Sequence, residues 1–149
     1  MSKAESADLI LKLYDLRREE TMREARKWFV TFMPETTQDV MKAMLDDASS
    51  AYYRMVISYW DMAAGLVNHG AIDAEMFLDS GGECVLVFSK IEPFIEELRA
   101  IVGSDKFLKN LETLIMTIPD AKEVLAGRRE MIKRMVQARA EMASKKAEN

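Results

Sequence analysis

Arg54, Ser58, Asp61, Gly65 and Asn68 recur at spacings of four, three, four and three, the period that aligns side chains along one face of an α-helix. They interrupt a stretch, Tyr53 to Asn68, that is otherwise apolar around most of its circumference, as a central helix is. A guanidinium and a carboxylate two turns apart, with Ser58 between them and the phenols of Tyr53 and Tyr59 alongside, could hold a polar ligand within a helical bundle. Three readings stay open. The stripe can be a strip facing water, a buried network in which Arg54 pairs with a carboxylate from another helix, or the lining of a pocket or interface. A buried guanidinium would need its partners, since breaking a buried ion pair costs roughly 3–5 kcal/mol. A second set, Met131, Met135 and Met142 with Ala138, forms an apolar stripe near the C-terminus that suits packing on the body or a dimer seam.

Other chemistry is poorly provided for. His69 and Cys84 are the only histidine and cysteine, too few for a zinc shell built on several such ligands or for two Glu-x-x-His motifs of a di-iron bundle. His69 reads as a helix C-terminal residue, where its charged form suits the dipole, and Cys84 reads as a core thiol. Asp79-Ser80-Gly81-Gly82 is superficially like the segment around a serine-protease nucleophile, but those enzymes are built on β-barrels. Gly81-Gly82 lacks the strand and the lysine of a phosphate loop. Asp46-Asp47 and Glu96-Glu97 are sequence neighbours that point different ways on a helix. No catalytic residue, metal or cofactor is assigned.

The elements that must hold these residues are helices. Good helix formers recur throughout, against six glycines and three prolines, and no period-two strand is found. The spacing predicts a first helix from about Ser6 to Met33, ended by Pro34. Thr36 and Thr37 are N-cap candidates, with Asp39 in the first turn. From there to His69 the pattern fits one helix, or two separated at Asp46–Ser50, with the break preferred. Asp73 caps a short helix from Ala74 to about Asp79. Glu83 to Val102 reads as a helix kinked at Pro93, whose ring meets the carbonyl of Ser89. Ser104 caps a helix carrying Phe107, Leu111 and Leu114, and Asp120 begins the last.

The chain has 149 residues, 49% of them hydrophobic and 31% charged, the balance of one globular domain, with fraying expected from about residue 143. The net charge of −4 is uneven: residues 1–34 carry +1, residues 35–120 carry −9 and residues 121–149 carry +4. Lys122, Arg129 and Lys133 share a face of the last helix. The acidic body nevertheless argues against a nucleic-acid partner. No stretch approaches the roughly 18 uncharged apolar residues of a membrane span, and with a single cysteine the expected location is cytoplasmic.

Tyr59-Trp60-Asp61, Gly65, Gly70-Ala71-Ile72-Asp73, Pro93 and Glu97-Leu98-Arg99 resemble, in this order, an uncharacterised family of bacterial helical proteins classed as a domain of unknown function. Some members of that family carry membrane anchors. The likeness covers about residues 50–100, and departs from the family pattern at Asp61, where a glutamate is expected, and in Val85–Phe88, where an aromatic differs. The resemblance implies an all-helical fold and supplies no activity.

The expectation is therefore an all-α bundle of about five to seven helices with long first, central and last helices. It would serve as a protein-interaction or assembly module whose partner is a second copy or another protein. The rival reading is a small-molecule-binding or catalytic bundle built around Arg54 and Asp61.

Overall fold

The computed structural model describes residues 2–149. They form nine α-helices and one 3-10 turn, with no strand among the described residues. The helix count exceeds the expected five to seven because two expected helices are each divided, at Glu19 and at Pro93, for a local reason in each case.

The first interruption divides the expected first helix. α1 (Lys3–Leu16) starts at a capping box: the Ser2 hydroxyl accepts from the Glu5 N–H at 3.1 Å, and the Glu5 carboxylate accepts from the Ser2 N–H at 3.3 Å. α2 (Glu20–Thr31) then begins afresh, because the Glu19 carboxylate accepts the N–H groups of Thr21 and Met22 at 3.0 and 2.9 Å. A side chain that satisfies two orphan donors ends one helix by starting another.

α3 (Thr37–Leu45) is capped by Thr36 with Asp39 in reciprocal contact. The break expected at Asp46–Ser50 is present: Asp46 turns its carboxylate onto the Ala48 N–H, and the buried Ser49 hydroxyl donates to the Ala43 carbonyl at 2.9 Å. α4 (Ser50–Asn68) follows, then α5 (Ala74–Asp79), capped by Asp73. Between them Gly70 adopts φ +83°, the left-handed conformation that ends a helix at little cost for glycine.

The expected kink at Pro93 is a full separation into α6 (Glu83–Ile91), a 3-10 turn (Glu92–Phe94) and α7 (Ile95–Val102). Proline has no N–H to give the carbonyl of Ser89. The Arg129 guanidinium supplies the missing donor from the last helix at 2.8 Å. Residues 104–108 are turns rather than the start of a helix, so Phe107 precedes α8 (Lys109–Ile115) instead of lying within it. α9 (Ala121–Glu148) is the longest element, and its helical geometry continues past position 143, where fraying is expected.

α4 is the centre. Tyr53, Val56, Ile57, Trp60, Ala63 and Ala64 on it are all buried, and α2, α3, α8, α5 and α6 pack around it. α9 packs on α6 through its first three turns. α1 packs on the core through Leu9, Ile10 and Leu13, and a charge cluster at its C-terminal end links Arg17, α2 and α6. At the start of α6, Glu83 accepts two bonds from the Arg26 guanidinium, at 2.8 and 2.9 Å, and one from Arg17 at 3.1 Å. Arg17 also lies 4.7 Å above the Tyr14 ring and 5.7 Å from that of Trp60. Replacing Glu83→Gln removes the charge both guanidiniums share. The expected result is a loss of about 1–3 kcal/mol of stability in urea unfolding; an unchanged midpoint would show that the cluster contributes nothing.

Candidate functional site

The polar stripe of α4 divides into two halves with different surroundings. At the upper end Arg54 and Ser58 are exposed. The Arg54 Nε donates to the Ser50 carbonyl at 3.3 Å and the Ser58 hydroxyl donates to the Arg54 carbonyl, so both engage only their own helix. At the lower end α8 docks. α8 lacks a side-chain cap of its own, because Leu108 occupies the N-cap position with φ 52°. Asp61 supplies that cap from α4: one oxygen accepts the Leu111 N–H at 3.0 Å and the other accepts from the Asn110 amide at 3.3 Å. The Asn68 amide donates to the Asn110 carbonyl at 2.9 Å. Gly65 lets this turn approach, since a Cβ there would sit 3.1 Å from Asn110 Nδ2.

The stripe therefore joins helices at Asp61, Gly65 and Asn68, and faces water at Arg54 and Ser58. Tyr53 and Tyr59 go separate ways. Tyr53 is buried at the α2 side with its hydroxyl unpartnered, and burial holds that phenol well above its ordinary range. The Tyr59 hydroxyl donates to the Leu13 carbonyl. Beside Tyr59 lies a cleft of about 160 Å³ lined by Tyr14, Trp60 and Phe77, with Arg17 among its walls.

Two buried cations were not singled out by the sequence pattern. Arg99, 6% exposed, donates to the Phe107 carbonyl at 3.0 Å and pairs with Glu112 at 3.3 Å. Lys90, 4% exposed, donates to the carbonyls of Phe29 and Val30 at 2.6 and 3.1 Å, at the end of α2 where the helix dipole favours a cation. A lysine in the otherwise apolar run from Cys84 to Ile91 was the available signal. Lys90 shares a cleft of about 410 Å³ with Met33, Phe94, Arg129, Lys133 and Glu35. Burial pushes its pKa down to about 8 and pushes the Cys84 thiol up to about 11, which leaves that thiol unreactive at neutral pH. His69 is exposed at the C-terminus of α4. No group of three or more His, Cys, Asp or Glu among the described residues is arranged to hold a metal ion.

The Met stripe is mostly uncovered. Met131 is half-buried, whereas Met135 and Met142 are 60% and 67% exposed. Every residue from Lys133 onward is exposed, and although Met135, Val136 and Arg139 still line a notch against the body, the turns beyond Arg139 run clear of it for about 14 Å. Where the helix leaves, Val30, Leu86, Met131, Ile132, Met135 and Val136 surround a notch of about 130 Å³.

These placements give two expectations. Asp61→Ala removes the cap of α8 and lowers stability by about 1–2 kcal/mol, while Arg54→Ala stays within about 0.5 kcal/mol; thermal melting of the two variants checks the contrast. For Lys90, the folded pKa lies below the ordinary 10.5, so the unfolded chain binds more protons above pH 8 and stability from this group rises with pH. Cys84 acts the other way above its ordinary 9.0, which leaves pH 8 to 9 as the useful interval. Over that interval the wild type gains up to about 1 kcal/mol relative to Lys90→Met in urea unfolding; a constant difference between the two proteins would refute the assignment.

Among known proteins, a family model described as "Domain of unknown function (DUF4760)" matches residues 3–117. No curated protein and no solved structure matches the chain. No helix among the described residues is long and apolar enough to cross a membrane.

Proposed function

The chain belongs to the DUF4760 family, and on that footing we propose that it is a helical interaction or assembly module in which the outer half of α9 is the docking element. One observation carries the reading. The stripe by which α9 packs on the body, Ala121, Leu125 and Ile132, is buried and continues in register as Met135 and Met142, which are mostly exposed. Most helical stability in proteins comes from packing an apolar face rather than from propensity.

Two further features support this reading over a ligand-binding bundle. The lower half of the α4 stripe is already engaged in holding α8, and its upper half has no enclosing wall. The family match also stops at residue 117, short of α9, as expected if α9 is an appended element through which a shared body engages a partner. The whole chain then acts as one domain, and a single buried cysteine fits a cytoplasmic setting.

Ending the chain at Ile132 tests the proposal while sparing Leu125 and Ile132. In extracts of expressing cells, the full chain should elute by gel filtration as a larger species than its mass and the shortened chain as a monomer. Both forms eluting as monomers would refute the docking role.

A further inference from the structure

We propose that the occupant of this surface is the same surface of a second copy, with the two α9 helices paired antiparallel; the inference rests on the docking role just argued. Met131, Met135, Ala138 and Met142 alternate spacings of four and three, the seam of a two-stranded coiled coil. Arg134 and Glu141, both exposed, lie one heptad apart on the same flank of that seam.

The direction follows from charge and size. In an antiparallel pair with its two-fold axis between Met135 and Ala138, Met131 meets the partner's Met142, and Met135 meets the partner's Ala138, large against small. Arg134 then faces the partner's Glu141, and the symmetry makes this contact twice. A parallel pair would set Glu141 beside the partner's Lys146 but Arg134 beside the partner's Arg139, so attraction in one flanking contact is offset by repulsion in the other. The antiparallel register also brings the partner's Met142 to the notch between Met131, Val30 and Leu86. It carries Lys145 and Lys146 of each tail towards the other copy's body, where residues 35–120 hold a net charge of −9. That attraction offsets the repulsion between tails, which from residue 133 onward carry five basic and two acidic side chains each.

Sedimentation equilibrium of the purified full chain, up to a few hundred micromolar, tests the pairing. The expected wild-type result is a monomer–dimer equilibrium. Arg134→Glu alone and Glu141→Arg alone should each weaken the dimer at least about tenfold, because each makes both flanking contacts repulsive. An equimolar mixture of the two variants should dimerise again. In the mixed pair the introduced glutamate faces the introduced arginine, and the native Arg134 of one copy faces the native Glu141 of the other. Both positions are exposed, so circular dichroism melting at concentrations where wild type and variants are all monomeric should be unchanged, which confirms that the fold is intact in each variant. A parallel pair would respond differently, with Arg134→Glu tightening the dimer and only Glu141→Arg weakening it, and would overturn the direction. A purified wild type that stays monomeric at every concentration overturns self-pairing. If the extract then still shows a larger species that depends on the tail, the docking role survives with a foreign partner, such as an acidic helix or an anionic membrane surface. If it does not, both fail.

Discussion

A helix that is apolar around nearly its whole circumference must be surrounded, and α4 sets this constraint on the rest of the chain. Leaving Val56, Trp60 and Ala63 in contact with water would cost roughly 25 cal/mol for each Å² exposed. α2, α3, α5, α6 and α8 therefore gather on it. Only one strip of α4 can escape the packing. That strip carries Arg54 and Ser58 and then Met62 and Leu66, while Asp61 and Gly65 beside it fasten α8, the short helix that cannot cap itself.

The buried charges follow from the same crowding. Bringing short helices around a central one leaves helix ends inside, and each end exposes carbonyls or N–H groups that water can no longer satisfy. Lys90 answers the carbonyls at the end of α2, Arg99 answers Phe107 before α8, and Arg129 answers the carbonyl that Pro93 leaves free. In each case a long cationic side chain lends its donors to backbone acceptors on another element. These contacts are structural, although the buried Arg99 Nη2 has no partner of its own.

α9 stands apart in this scheme. Its first three turns obey the packing rule, burying Leu125 and Ile132 against the body. Its remaining turns carry the same stripe into solvent. The docking role proposed for this helix would complete the apolar face that the body leaves open beyond the notch at Met135 and Val136. A family match that covers the body but not this helix is consistent with a shared platform bearing an appended arm.

Helix type was legible from spacing, because the 3.6-residue period is written in the chain itself; so were the caps at Thr36 and Asp73, whose signals are local. The break at Asp46–Ser50 was also visible, since serine and aspartate compete for nearby backbone groups. The split at Glu19 was not, because a glutamate in the charged run Arg17-Arg18-Glu19-Glu20 looks like a solvated helix face until the fold shows its carboxylate bonded to Thr21 and Met22. Pairings such as Asp61 with Leu111, Lys90 with Phe29 and Glu83 with Arg26 join residues about fifty or more positions apart. No periodicity encodes such partners. Local sequence determines which face of each rod is oily, whereas which polar group meets which helix end is decided only when the rods stack and exclude water from between them.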